Sequence, residues 1–159
     1  MEEFENLEFR MAMPDDAKVI EQLFREFVNE SGETFNEKRF QWGIERRIYD
    51  PLQRQGIFVV DVKKDDNTRE VIGLIFSELR VDPFGVSEAD VKKIYLKKEY
   101  RYKGIGKKLL KTLIEHLRKI DIKKILIKIP IELENEGFKK LMNDLNFKIQ
   151  YRIYEFDDV

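Results

Sequence analysis

The chain has 159 residues and pairs 30 Lys or Arg with 31 Asp or Glu, a formal net charge of −1, and its 42% apolar residues suffice for one globular core, so a single domain over residues 1–159 is expected. With no Cys and one His, disulfides, thiolate metal centres and Cys nucleophiles are excluded, and no metal is expected; carboxylates, hydroxyls, backbone amides or an organic cofactor must carry the chemistry. No apolar run approaches the roughly 20 residues that span a bilayer, and the acidic start Met1-Glu2-Glu3-Phe4-Glu5 is the reverse of a secretion signal, so a cytoplasmic chain without a membrane partner is expected.

Leu7 to Met11 predicts a short strand. Pro14-Asp15-Asp16 then opens a helix to about Asn29, with Val19, Ile20, Leu23, Phe24 and Phe27 on its buried face. After a polar connection, Asn36 is placed to cap a second helix with Phe40, Ile44 and Ile48 on one stripe, ended by Asp50-Pro51. Ile57 to Val62 and Val71 to Leu79 predict a hairpin around the charged turn from Lys63 to Glu70. Gly73 inside its second arm predicts a bulge or a close backbone approach. Asp82 to Glu88 reads as irregular, and Val91 to Leu96 as a strand.

A helix follows Gly104-Ile105-Gly106, with Ile105, Leu109, Leu110, Leu113, Ile114, Leu117 and Ile120 along one arc. Lys123 to Ile129 predicts a strand, Asn135 to Leu145 an amphipathic helix, and Phe147 to about Phe156 a last strand. The order β-α-α-β-β-β-α-β-α-β implies a mixed sheet covered by helices.

Two features bear on function. Residues 91–128 hold 14 Lys or Arg against Glu99, Glu115 and Asp121, a basic segment suited to a phosphate-rich small molecule, to nucleic acid or simply to a solvated face. Within it, Arg101-Tyr102-Lys103-Gly104-Ile105-Gly106 lies between a strand and a helix. Glycines there allow close backbone approach, and the unpaired amides of a first helical turn, aided by the helix dipole, suit a pyrophosphate. The stretch is neither a Walker A loop nor a G-x-G-x-x-G fingerprint; a plain strand-to-helix turn is the other reading.

The pattern R-x-x-G-x-G opening a long helix, preceded by Ile94-Tyr95-Leu96 and Glu99-Tyr100, resembles the acetyl-coenzyme A site of the GNAT N-acetyltransferase superfamily. Phe9 to Ala12 followed by Pro14 to Ala17 is similar to that family's first strand and helix, and Val71-Ile72-Gly73 to its third strand. Asn135, Phe138, Leu141, Leu145 and Phe147 keep the spacing of its last helix and the strand beyond. The resemblance, from about Leu7 to Phe156, implies an α/β fold with a central mixed, mostly antiparallel β-sheet flanked by helices.

The resemblance implies acetyl-CoA as co-substrate and direct transfer of its acetyl group to a primary amine of a small molecule, a Lys side chain or a peptide N-terminus. Carried over by residue, the amides of Arg101, Tyr102, Lys103, Gly104, Ile105, Gly106 and Lys107 would hold the pyrophosphate, with the Arg101 side chain adding charge. Ile94, Tyr95 and Leu96 would pair with the pantetheine arm, and the Leu96 amide would polarise the thioester carbonyl. Asn135 matches a common cofactor contact and equally fits a helix N-cap.

Asp90, where the histone acetyltransferase branch carries Glu, is the candidate base that takes the ammonium proton; a surface acid at a strand start is its other reading, and Glu78 is a weaker candidate. The family's Tyr acid falls at Met142, which cannot donate a proton; Tyr95, Tyr151, Tyr154 or solvent are the substitutes. Trp42, Phe35 and Phe40 would line the acceptor site, as the resemblance implies for that helix, or pack in the core, and Glu30 and Glu33 would favour a cationic acceptor or are solvated loop acids. His116 reads as a helix-surface residue.

The chain ends three residues after Phe156, which leaves little room for the family's final strand and predicts an acceptor site that is open, completed by a second subunit or degenerate. A non-catalytic acyl-CoA-binding or interaction module of the same fold is the alternative, and nucleic acid is not the expected partner.

Overall fold

The computed structural model describes residues 4–81, 83–85 and 87–158. They divide into two compact units, Met1–Lys128 and Ile129–Val159, each described by itself.

The first unit is built on five strands in spatial order β1-β2-β3-β4-β5: β1 Leu7–Met11, β2 Ile57–Lys63, β3 Arg69–Val81, β4 Ser87–Leu96 and β5 Lys124–Ile127. The first four pair antiparallel and β4 pairs parallel with β5, the expected mixed, mostly antiparallel sheet. The β2–β3 hairpin turns at Asn67, φ +67°, where the Asp66 carboxylate accepts the Thr68 amide at 3.0 Å. From Ile57 to Asp61 every residue of β2 is buried, as in a central strand covered on both faces.

One cover is α1 (Ala17–Glu30), entered through a 3-10 turn at Pro14–Asp16, together with the short helices α2 (Glu37–Phe40) and α3 (Arg46–Tyr49), which flank a π-helical turn at Gln41–Glu45. Ile20, Leu23, Phe40 and Ile48 from these helices close over Ile57, Val59, Leu74, Phe76 and Tyr95 of the sheet. As expected, the Asn36 side chain caps α2, accepting the Arg39 amide at 2.9 Å. The expected continuous second helix is instead widened in its middle, because Gln41–Glu45 takes π geometry. The other cover is α4 (Ile105–Lys119), which lies against β2, β3 and β4. Its Ile105, Leu109, Leu110, Leu113 and Leu117 are buried, each side chain contributing roughly 1.5–3 kcal/mol.

A charged staple holds the first strand to the first helix. Buried Asp61 accepts from Arg10 Nε at 2.9 Å and from Arg69, and the same Arg10 forks onto Asp16 at 2.8 and 2.9 Å. Burial raises the Asp16 pKa most, but hydrogen bonds from Arg10 and the Met13 amide outweigh it and hold the carboxyl below its ordinary range.

Two irregularities shape the sheet. The register shifts opposite Val60/Asp61, where Ile72 of β3 is the extra residue, and opposite Phe76/Ser77, where Lys92 of β4 is the extra residue. Gly73 beside the first shift is the expected close approach, since a Cβ there would sit 2.8 Å from the Tyr95 carbonyl oxygen. Strand β4 begins at Ser87, earlier than its composition predicts, because Ser87 and Glu88 pair with Val81 and Arg80; Asp82 and Val86 lie outside the described residues.

The second unit contains α5 (Glu136–Asp144), capped by Asn135. The strand expected from Phe147 to Phe156 is absent: residues 147–158 carry no ladder, and Ile149, Ile153 and Phe156 are exposed. Alternation proposes a half-buried face, but a strand exists only through its pairing partner.

Candidate functional site

The site follows from where two strands part. β4 and β5 stay paired from Glu88↔Lys124 to Val91↔Ile127, where β5 ends, while β4 runs on past the Lys92 bulge to Leu96. Among the described residues, β4 beyond Val91 has no strand partner on its β5 side. Backbone groups alternate in direction along a strand. The Lys97 amide bonds to the Ile72 carbonyl at 2.9 Å, so Tyr95, opposite Leu74, turns its N–H and C=O to β3. Ile94 and Leu96 turn theirs to the free edge. Of the three residues expected along this strand, Tyr95 therefore offers its backbone to the sheet.

At the end of that edge stands the glycine loop. Tyr102 has φ +63° and Gly104 φ +83°, two left-handed residues that fold the chain into the first turn of α4. The Lys108 amide closes that turn on the Gly104 carbonyl at 3.1 Å. A helix cannot satisfy its first amides internally, so those of Gly104, Ile105 and Gly106 form a donor cluster at the positive end of the α4 dipole. Gly106 packs onto the same strand: a Cβ there would lie 3.8 Å from Leu96 and 3.9 Å from Ile94. Tyr102 and Lys103 are exposed, and Lys107 stands on the outer side of α4.

Arg101 does a different job from the one its charge suggests. Its Nε donates to the Leu96 carbonyl at 2.8 Å and its NH2 to Glu30 Oε2 at 2.8 Å, while the Tyr95 hydroxyl donates to Glu30 Oε1 at 2.8 Å. The last residue of α1 thus braces the loop. Glu30 is held below the ordinary carboxyl range by Arg101 first and Tyr95 second. Burial and then Glu30 push the Tyr95 phenol well above its ordinary value, which leaves it committed as a donor to Glu30. Because the Leu96 carbonyl is taken, its N–H is the group left facing the edge.

Asp90 lies on β4 opposite Glu78 of β3 and Leu126 of β5. It is buried, with Oδ2 2.9 Å from Lys92 Nζ and 3.4 Å from Arg80. Its Oδ1 is buried without a hydrogen-bond partner among the described residues, an unsatisfied carboxylate oxygen inside the fold. Glu78 is paired with Arg47 at 3.5 Å. Arg47 and Trp42 line a cleft of about 240 Å³ with Arg46, Asp50 and Gln53; of the three aromatic residues expected at the acceptor site, Trp42 lines this cleft, whereas Phe35 and Phe40 meet at a tilt, 5.8 Å between ring centres, in or against the core.

The basic segment is spread through the fold. Lys92 pairs with Asp90, Lys97 with Glu70 at 3.0 Å, Lys123 with Asp121 at 3.4 Å and Lys124 with Glu88 at 3.6 Å. Lys93 sits 4.0 Å over the Phe27 ring. His116 is half-buried, its ring 5.2 Å from that of Phe58 and its Nε2 2.9 Å from Gln55 Oε1. Among the described residues no group of three or more His, Asp or Glu could hold a metal ion, and no helix is long and apolar enough to cross a membrane.

In the second unit, the Asn135 side chain accepts the Phe138 amide at 2.8 Å, the capping role that composition alone allowed. Met142 lies in α5.

The sequence model of the acetyltransferase (GNAT) family matches residues 18–147. The chain belongs to that family. No curated protein matches it. Among solved structures it is similar to a possible acetyltransferase from Clostridium difficile 630, at 22% identity and TM-score 0.67, covering 98% of this chain and 99% of that one. It is also similar to an aminoglycoside acetyltransferase from an uncultured soil metagenomic sample, at 17% identity and TM-score 0.69, covering 95% and 96%. A third is a predicted acetyltransferase from Clostridium acetobutylicum solved with acetyl-CoA, at 13% identity and TM-score 0.67, covering 95% and 96%. At these identities the likeness is one of fold. The first unit of this GNAT chain, with the sheet and α4, carries the free edge and the glycine loop.

Proposed function

We propose that this chain is an acetyl-CoA-dependent N-acetyltransferase, acting as one domain over residues 1–159, that transfers acetyl to a primary amine. The observation that carries the reading is the β4 edge left free beyond Val91, with the glycine loop opening at its end. The family match across residues 18–147 supports it, as do neighbours named as an acetyltransferase with acetyl-CoA and as an aminoglycoside acetyltransferase.

The residues present fit the co-substrate. When bound, acetyl-CoA supplies an acetyl group activated as a thioester. Ile94 turns its amide and carbonyl, and Leu96 its amide, to the edge where the amides of a pantetheine arm can pair. The amides from Gly104 to Gly106, with Lys107 beside them, are a cradle for the pyrophosphate. Arg101 shapes that cradle through Glu30 and Leu96 instead of lending free charge. The Leu96 N–H is the fixed donor available to a carbonyl oxygen gaining negative charge.

Asp90 is the base. Its partnerless Oδ1 keeps lone pairs for an ammonium N–H, directly or through water, and taking that proton frees the nitrogen lone pair. The N–C bond then forms as the C–S bond breaks, and the nitrogen gives its second proton to solvent as the neutral amide forms. A thiol with an ordinary pKa of roughly 8.5 leaves readily as thiolate and takes its proton from water, so Met142 in place of Tyr is compatible with turnover.

The test is calorimetric titration with acetyl-CoA, with CoA and a nucleic-acid duplex as comparisons, followed by thiol-release assays on an amine panel. One-to-one acetyl-CoA binding with thiol release is expected. Duplex binding without acetyl-CoA binding overturns the reading, and acetyl-CoA binding without transfer to any amine leaves a binding module.

A further inference from the structure

The cleft lined by Trp42, Arg46, Arg47, Asp50 and Gln53 is not accounted for by the co-substrate. Its charges differ in how far they are already engaged. Asp50 Oδ1 accepts the Leu52 amide at 2.9 Å and the Gln53 amide at 3.3 Å. The Gln53 side chain bonds the Leu79 backbone in both directions, at 2.8 and 3.1 Å. Arg47 is paired with Glu78 and donates to the Gly43 carbonyl. Arg46 is exposed; its backbone N–H donates to the Gln41 carbonyl, and among the described residues its side chain makes no hydrogen bond or ion pair. The cleft therefore offers an incoming molecule one uncommitted guanidinium.

Two further observations make it a place for a ligand. It borders the π-helical turn at Gln41–Glu45, a distortion that recurs at functional sites because it displaces side chains from the helical spiral. Trp42, on that turn, stands 73% exposed as an apolar wall beside Arg46. The cleft also adjoins the reaction centre: Arg47 touches Glu78, and Glu78 is the cross-strand neighbour of Asp90. Of the two acids expected to favour a cationic acceptor, Glu30 is already held by Arg101 and Tyr95.

We infer that the acceptor amine carries a carboxylate of its own, which Arg46 binds in the cleft against Trp42 while the amine sits at Asp90. The inference deepens the N-acetyltransferase reading and rests on it. A guanidinium presents two parallel N–H groups to a carboxylate, so the contact orients the acceptor as well as attracting it. The path from Asp90 to the cleft crosses one interstrand spacing, about 4.8 Å, and then the Glu78–Arg47 pair. Amine and carboxylate are thus separated by several bonds, as in a short peptide or an ω-amino acid.

The only tryptophan of the chain is Trp42, so intrinsic fluorescence reads this cleft directly. The CoA-saturated protein is titrated with glycine peptides of increasing length, ω-amino acids, the C-terminal amides of the same peptides, and spermidine. The same panel is run in a thiol-release assay with acetyl-CoA.

The expected result is a saturable blue shift with the free acids, at least about tenfold weaker with the amides, matching a 1.4 kcal/mol preference. In turnover the preference appears in the acceptor KM, with the acetyl-CoA KM unchanged. Arg46→Gln removes the preference and Arg46→Lys keeps part of it. Amides or spermidine acetylated as well as the acids, with Arg46→Gln silent, overturn the inference and leave the acetyl-transfer reading standing. An acid-selective shift with no thiol release from any compound overturns the acetyl-transfer reading and keeps the carboxylate site. No acid-selective shift overturns the site itself.

Discussion

Gly104 and Gly106 are two residues apart in one motif, yet the structure gives alanine opposite effects at the two positions. At Gly104 the backbone is left-handed, φ +83°, and the nearest atom a Cβ would meet is 3.8 Å away in Phe4, so conformation decides. An L side chain in that region costs about 1–2 kcal/mol. Gly106 lies in the first turn of α4, and its added Cβ would make ordinary contacts at 3.8 Å with Leu96 and 3.9 Å with Ile94. Alanine there gains about 0.5–1 kcal/mol of helix stability.

The two variants should therefore differ by about 2 kcal/mol, with Gly106→Ala above the parent protein and Gly104→Ala below it. For a chain of this size that is a separation of about 6 °C in Tm. Differential scanning calorimetry measures it, and titration with acetyl-CoA adds the functional half. Gly104→Ala should weaken binding about tenfold, or 1.4 kcal/mol, because relaxing the left-handed turn moves the amide cradle, while Gly106→Ala should bind as the parent does. Shifts of the same sign and size would refute the reasoning, since they would mean the two glycines are not conformationally distinct.

Asp90→Asn should lower kcat about 100-fold, the usual scale of losing a general base, with the acetyl-CoA Kd unchanged in calorimetry; an unaltered pH–rate profile would remove Asp90 from the mechanism. Glu30→Gln keeps a partner for Tyr95 but takes the charge from Arg101, so acetyl-CoA affinity should fall and the Arg101 proton signals should broaden in NMR; unchanged affinity would mean that the brace does not shape the loop. His116 is held below its ordinary pKa by burial first and Lys119 second, so the fold prefers it neutral. Its unfolded form takes up a proton as pH falls through about 6.5 while the native form does not. Stability should thus decline from that pH until the native imidazole also protonates. His116→Gln should flatten this part of the urea-midpoint profile between about pH 5 and 7, and an identical slope would assign it to another group.

What could be read from the sequence was local. Gly104 and Gly106 announce a tight entry into a helix, and the arc from Ile105 to Leu117 announces which face that helix buries, because both signals lie within a few turns of chain. Phe147 to Phe156 shows the limit: its alternation is genuine, yet a strand needs a second strand, and no local pattern says whether one pairs. The same holds for Ser87 and Glu88, polar residues drawn into β4 by their β3 partners. Arg101 was legible as a charge near a phosphate loop, but Glu30, 71 positions away, decides what that charge does. The π-helical turn was hidden as well, since Phe40, Ile44 and Ile48 keep the spacing of an ordinary helix across it.

The Lys92 bulge ties these pieces together. Up to Val91, β4 is an interior strand, paired on both sides, and Asp90 is fixed there by Glu78 and Leu126 across the two ladders. One residue later the extra Lys92 increases the local twist, β5 has ended, and Ile94 and Leu96 face an open edge. A base needs the rigidity of the paired half, whereas an extended ligand needs the unpaired groups of the other half. Deleting Lys92 would restore an unbroken antiparallel register with Asp90 still opposite Glu78 and Lys93 still opposite Phe76, so every side chain would keep its face and the added twist between the two halves would be lost. The bulge therefore marks the junction between the paired half, which holds the proposed base, and the half whose edge is free.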